Sequence, residues 1–323
     1  MPPTRIPTKE DFASILPSHP TYQGRRRQQQ QQQQQQEQQQ RQGKGGGQPD
    51  DDPISLVYPN PPESTTSILL LFHGLGDTEA AFAAFARNLA LPGVLAIAVR
   101  GTAPLPPALL PPPPPSPADD GGGGARAGYH WGDDLVFSRD GDAIDPDPGF
   151  DRARAWVVDR LIGEVLVRRC GWAAGDLMLF GFGQGASFAL GLASALRGGD
   201  RVVEVVATKG AAAAGQGKGD GNGNGNWNGN GMAFKGVVAI GGALPVSMVP
   251  TVGGLGKSKT PVLVCCGRES EAVDEDAVEL LEREFKDVKV VRWKRNDDGM
   301  PRNREEALPM MRFFAERLRN LWL

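Results

Sequence analysis

The stretch Leu177-Met-Leu-Phe-Gly-Phe-Gly-Gln-Gly-Ala-Ser187 runs from an apolar segment through a glycine turn into a helical one. Small residues at Gly181 and Gly185 let a strand reverse into a helix within about one turn, and that geometry lifts the residue between them above the C-terminal edge of a sheet. A nucleophile held there can attack an acyl carbon. Upstream, Phe72-His-Gly-Leu-Gly-Asp77 closes another apolar segment with a glycine-loosened loop that can aim backbone N–H groups at an anion. The two stretches have the form of a nucleophile elbow and its oxyanion loop.

These turns can meet only if the strands before them lie side by side. Residues 68–73 are apolar on both faces, as a buried central strand must be. Asp77 or Thr78 can cap a helix over 79–90, with Phe82, Phe85 and Leu89 on one stripe. Strand 94–99 follows, and Phe150, Ala153, Val157, Leu161 and Val165 form a long helical stripe. The pattern continues with strand 177–181, helix 184–196, strands 237–241 and 261–267, helix 273–285, strand 288–293 and a last helix ending at Leu321, with Pro309 in its first turn. This alternation predicts an α/β fold, a mostly parallel sheet with helices on both faces.

Glycine and proline supply 43 and 27 of the 323 residues, roughly double ordinary usage. They concentrate in three tracts: a Gln-rich tract at 24–52, a Pro/Gly tract at 101–128 with a five-proline run, and a Gly/Asn tract at 208–231. Such segments cannot bury enough apolar surface to offset their ordering entropy, so each is expected to be a disordered insertion. The Gln-rich tract reads as a tolerated expansion rather than a recruiting segment. The expected organisation is an N-terminal segment, 1–60, and one α/β domain, 61–323, interrupted at 101–128 and 208–231.

The 35 basic and 38 acidic residues give a net charge of −3. That balance carries no electrostatic footprint for nucleic acid or an anionic membrane. Cys170, Cys265 and Cys266 make no disulfide framework and point to a reducing compartment. No apolar run approaches the ~20 residues of a membrane span, and MPPTRIPTKEDF at the N-terminus has no apolar leader core. The expectation is a soluble cytoplasmic protein with no cofactor.

Several motifs in order carry a more specific resemblance. LFHGLGDT at 71–78, GFGQGAS at 181–187, KGVVAIGGALP at 235–245 and VLVCCG at 262–267 resemble the phospholipase/carboxylesterase family of α/β-hydrolases, which includes the acyl-protein thioesterases. HWGDD at 130–134 and DGMPRNREE at 298–306 resemble, more narrowly, a fungal branch of uncharacterised members. The resemblance runs from about Ile68 to the C-terminus outside the insertions. It implies the α/β-hydrolase fold, hydrolysis of carboxylic esters or thioesters, an acyl or anionic small ligand or an S-acylated protein as partner, and oxyanion donors at the N–H groups of Leu75 and Gln184. His73, Gly74, Trp131 and Arg302 are further candidate binding residues.

The departures from the family pattern bear on chemistry. The elbow position that carries the family's serine is Gly183, which has no side chain. The acid position aligns with Ser270, flanked by Glu269 and Glu271, and the histidine position falls near Arg302. The chain holds only His19, His73 and His130, all upstream of the elbow, whereas the fold's order is nucleophile, acid, histidine. Without an imidazole after the elbow the usual serine activation is missing. The expectation is a pseudo-hydrolase, or a very weak hydrolase, that binds an acyl or anionic ligand or a partner. The alternative is an active hydrolase using unconventional residues, with Ser187, Cys265 or Cys266 as nucleophile or with Glu269, Glu271 or Asp274 as base to a water.

The remaining candidates have plainer readings. His73, before Gly74, reads as a hydrogen-bonded loop former. His130 with Asp133 and Asp134 is a weak ligand set, so no metal is expected. Trp131 reads as a pocket wall. The charged run 292–306 reads as a self-paired, solvated face, with Arg302 as the residue that could turn a pocket toward an anion. From a different class, Gly181-x-Gly183-x-x-Ala186 between strand and helix formally fits a dinucleotide-binding turn. That reading needs an acid closing the next strand. Glu204 lies in the middle of the candidate strand 201–207, and Lys209 follows it.

Overall fold

The computed structural model describes residues 4–21, 52–110, 127–135, 137, 144–197, 233–251 and 256–318. Of the tracts expected to be disordered, 208–231 and 24–51 fall outside these residues, as does the candidate strand 201–207. The expected insertion at 101–128 is described at 101–110 and 127–128, where Gly101, Thr102 and Leu105 are buried and 103–104 form a strand, so its ends are part of the fold rather than disordered. The described residues form nine strands. In chain order they are β1 (Ile54–Val57), β2 (Ser67–Phe72), β3 (Val94–Val99), β4 (Ala103–Pro104), β5 (Tyr129–His130), β6 (Leu177–Phe182), β7 (Gly236–Ile240), β8 (Val262–Cys266) and β9 (Val288–Arg292).

Seven of these form one sheet in the order β1-β3-β2-β6-β7-β8-β9. All neighbours are parallel except β1, which pairs antiparallel to β3 with Ile54 opposite Val99. The chain winds outward from β2 to β3 and then returns to the other side of β2 at β6. The sheet therefore reverses its winding between β2 and β6, and the crevice at the C-terminal ends of such strands is where open α/β sheets place ligands. Strands β4 and β5 make a separate two-stranded ribbon above that edge.

All six residues of β2 and of β3 are buried. Along β2, Ile68, Leu70 and Phe72 join one apolar cluster while Leu69 and Leu71 join the other. The sheet is thus covered on both faces, and each large side chain buried there contributes about 1.5–3 kcal/mol. One face carries helix Gln184–Ala195 and the segment Trp156–Arg169. The other carries helices Glu79–Leu89 and Arg304–Leu318.

Where the described residues allow comparison, the strands and helices expected from the pattern are present with ends shifted by one or two residues, the expected end of the last helix at Leu321 lying outside them, and three departures stand out. Trp156–Arg169 is wound as a π-helix, and its buried residues come in adjacent pairs, Trp156/Val157, Leu161/Ile162 and Val165/Leu166, spaced five and then four residues apart, a wider stripe than the expected α-helical one. Pro309 lies inside helix Arg304–Leu318 rather than in its first turn. Asn303 accounts for this: its Oδ1 accepts from the Glu306 N–H at 3.0 Å and starts the helix upstream of the proline. The described residues before 60 contribute to the core, since β1 is a strand of the sheet and Phe12 and Ile15, in and just after the short helix Lys9–Ala13, are buried in the first cluster. No helix among the described residues is long and apolar enough to cross a membrane.

Candidate functional site

The elbow forms as its glycines demand. Gly183 closes β6 and precedes helix Gln184–Ala195 with φ +51° and ψ −121°, a left-handed conformation in which a side chain is strained. Its N–H donates to the Ile240 carbonyl at 2.8 Å, tying the turn to β7. A Cβ built on Gly183 would meet only the Gly74 Cα, at 3.9 Å. The position is open where a hydrolase of this form projects its nucleophile.

Gln184 is the first residue of the helix, so its N–H has no carbonyl partner within the helix and points from the positive end of the dipole. Its side chain braces the neighbouring loop, because Oε1 accepts from the Trp131 N–H at 2.8 Å. Trp131 is fully buried, stacked on Phe188 with ring centroids 5.0 Å apart, and its Nε1–H donates to the His73 carbonyl at 2.8 Å. It is therefore a buried strut between β5, β2 and the elbow helix, where sequence reading expected a pocket wall.

His73 is completely buried, and both ring nitrogens are occupied by backbone. Its Nε2 accepts from the Gly101 N–H at 2.8 Å, so Nδ1 carries the hydrogen and donates to the Gly74 carbonyl at 2.7 Å. Burial holds its pKa below the ordinary histidine value. Leu75 follows with its side chain exposed, and the loop is tied to β5 by the Gly76 N–H to the Tyr129 carbonyl, 2.9 Å.

On the other side of the elbow, the loops after β8 and β9 meet through a residue that the sequence did not single out. Asp298 accepts from the Gly267 N–H on Oδ1 and from the Ser270 hydroxyl on Oδ2, both at 2.7 Å. Its Cβ lies so close to Gly241, the residue after β7, that a side chain there would approach it to 2.6 Å. The position expected to carry the acid thus holds a hydroxyl, and the carboxylate that binds it comes from the loop expected to carry the histidine. No local signal marks Asp298 within the charged run, since only the folded chain brings it to Ser270.

Arg302 does not take part in that contact. Its side chain is 64% exposed and its Nη2 pairs with Asp297 at 2.6 Å. Arg295 also pairs with Asp297 and stacks over Trp293 with 4.3 Å to the ring centroid, so this part of the run is self-paired. Glu269 is exposed and accepts from the Asn296 side chain at 2.8 Å, and Glu271 is exposed too. Ser187 is buried in the elbow helix, its N–H bonded to the Gly183 carbonyl at 3.1 Å. Burial pushes the Cys265 thiol up to about 12 and raises that of Cys266, so neither forms a ready thiolate.

Asp133 is used structurally. Its carboxylate caps the helix Asp151–Ala155 by accepting from the Asp151 and Arg152 N–H groups at 2.7 and 2.9 Å. Among the described residues no cluster of three or more His, Cys, Asp or Glu side chains could hold a metal ion.

The chain's likenesses to known proteins agree with this geometry. A family model described as phospholipase/carboxylesterase matches residues 56–217, half of the chain. An uncharacterised hydrolase of Schizosaccharomyces pombe is 32% identical over 124 residues, covering 38% of this chain and 44% of that protein. An uncharacterised hydrolase of Mycosarcoma maydis is 31% identical over 129 residues, covering 39% and 40%. The chain therefore spans less than half the length of these relatives. Among solved structures, acyl-protein thioesterase 2 of Zea mays superposes with a TM-score of 0.50 at 20% identity, over 82% of this chain and 98% of that one. Esterase PE8 gives the same TM-score and coverage at 17% identity, and at such identities the two establish the fold alone. With the sequence model, the strand order and the elbow in agreement, the protein belongs to the phospholipase/carboxylesterase family of α/β-hydrolases.

Proposed function

We propose that this protein keeps the acyl-binding architecture of its family without the serine chemistry, and binds an acyl or anionic ligand at the elbow. The observation that carries the reading is the emptied elbow. Gly183 holds the strained backbone of a nucleophile position with open space above it and no atom to donate. The chain's three histidines all precede the elbow, and His19 and His73 have both ring nitrogens engaged. Mutating the triad of a serine hydrolase costs about a millionfold in turnover, and the oxyanion pocket and binding that remain are good for roughly 10³-fold over water.

What remains is suited to holding a carboxylate or a thioester carbonyl. The Gln184 N–H stands at a helix N-terminus, the Leu75 N–H lies in the adjoining loop, and Trp131 and His73 hold the two together. The acyl-protein thioesterase neighbour supports an acyl chain as the ligand, either free or on an S-acylated protein.

The test is an assay of the purified protein on short and long p-nitrophenyl esters and on an S-acylated peptide, beside Gly183→Ser, with octanoate binding followed by calorimetry. The expected results are turnover no more than roughly 10³-fold above the uncatalysed rate, measurable octanoate binding, and little gain from the serine. Turnover by the unmodified protein at an ordinary esterase's rate would overturn the proposal.

A further inference from the structure

The N-terminal segment reaches the anion-facing loop through a line of hydrogen bonds. Residues 4–21 pack against the domain. The Arg5 N–H donates to the Cys170 carbonyl and the Trp172 Nε1–H to the Arg5 carbonyl, each at 2.9 Å, and Phe12 and Ile15 are buried. At the end of this segment His19 is fully buried, with its ring set edge-on against Trp156, centroids 4.5 Å apart.

The Nδ1 of His19 accepts from the Thr21 N–H at 3.3 Å and lies 2.7 Å from the Thr21 hydroxyl. Its Nε2 therefore carries the hydrogen and donates to the Arg100 carbonyl at 3.2 Å. That carbonyl belongs to the same peptide group as the Gly101 N–H, which donates to His73 Nε2 at 2.8 Å. His73 Nδ1–H in turn donates to the Gly74 carbonyl at 2.7 Å. The Gly74 carbonyl shares its peptide group with the Leu75 N–H. Peptide groups are planar, so a bond that holds the oxygen on one side also sets the direction of the N–H on the other.

We infer that His19 is a positioning residue for the Gly74–Leu75 peptide, so that docking of the N-terminal segment sets the aim of the N–H that faces the ligand. The inference rests on the proposed anion site, but its structural half can be measured without a ligand. His19→Phe keeps a ring against Trp156 and removes the donor, whereas His19→Gln restores an N–H that can reach the carbonyl.

Hydrogen exchange over residues 73–78 and octanoate affinity are to be measured on the full chain. In His19→Phe, exchange is expected to rise and affinity to fall by about fivefold each, the size of one net hydrogen bond. His19→Gln is expected to recover both, and exchange in the remote helix Glu275–Glu284 to stay unchanged. Equal exchange at 73–78 in His19→Phe and the unmodified chain would overturn the inference. So would a His19→Gln variant that behaves like His19→Phe, since packing alone would then be the cause. Should His19→Phe not fold, His19→Leu also removes the donor to the Arg100 carbonyl, and an exchange rate over 73–78 equal to that of the unmodified chain decides against the inference. If the unmodified chain binds no octanoate, the proposed ligand reading falls, while the exchange rates still decide the positioning role.

Discussion

Two glycines of the elbow should respond very differently to the same added methyl group. At Gly183 a Cβ meets nothing closer than 3.9 Å, so the only penalty is the backbone, held at φ +51° and ψ −121°. Strain of this kind costs of order 1–3 kcal/mol, and the lower entropy of an unfolded alanine returns about 0.4–1 kcal/mol. Gly183→Ala is therefore expected to cost about 1–2 kcal/mol. At Gly185 a Cβ would lie 2.3 Å from the Phe72 carbonyl oxygen and 2.4 Å from that of His73, so β2 and the elbow helix must separate. Overpacking against backbone exceeds the usual 1–3 kcal/mol range because no side chain can turn aside, and Gly185→Ala is expected to cost more than about 3 kcal/mol. Urea unfolding followed by far-UV circular dichroism separates the two, against a total stability of about 5–15 kcal/mol for a domain. Equal losses for the two variants would refute the claim that open space stands over Gly183.

Two further outcomes follow from buried polar contacts. Burial holds the His19 pKa down to about 3, against 6.5 when exposed. Above pH 6.5 it is neutral in both states. As the pH falls toward 3 only the unfolded chain takes up the proton, so stability drops by about 1.4 kcal/mol per pH unit, or about 2 kcal/mol at pH 5. His19→Phe should flatten the stability curve between pH 6 and 4 by about one proton's slope, and an unchanged slope would show that His19 is not buried as a neutral ring. Asp298→Ala leaves the Gly267 N–H and the Ser270 hydroxyl without their acceptor and is expected to cost about 2–4 kcal/mol in urea unfolding. Arg302→Ala removes an exposed ion pair and is expected to cost less than about 1 kcal/mol. A loss for Asp298→Ala no larger than that for Arg302→Ala would mean that the link between the loops contributes nothing.

Most of the sheet was legible because its inner strands are buried on both faces and so read as apolar runs, as in β2 and β3, while the edge strand β9 shows as a valine-rich run. The exception was β1. It is an edge strand with one buried and three half-buried residues, and its ISLV lacks the density of a core strand. The widened pitch of Trp156–Arg169 was also hidden, since Phe150, Ala153 and Val157 fit an ordinary helical stripe as well as the observed one. Of the site, the elbow and its facing loop could be read because glycine spacing between strand and helix is a local signal. Asp298 could not, because a carboxylate inside a run of alternating charge looks solvated until the loop carrying it is brought to Ser270.

The sequence alone determined which groups stand at the elbow and after it. A proton transfer needs an atom to carry it, and neither a hydroxyl at position 183 nor an imidazole beyond residue 130 exists for any fold to position. Tertiary structure alone decided which of the remaining groups meet: Asp298 with Ser270, Trp131 with the His73 carbonyl, and His19 with the peptide that also binds His73. Those partners are separated by 28, 58 and 81 residues of chain, and only closure of the sheet and burial of its two faces bring them within hydrogen-bonding distance.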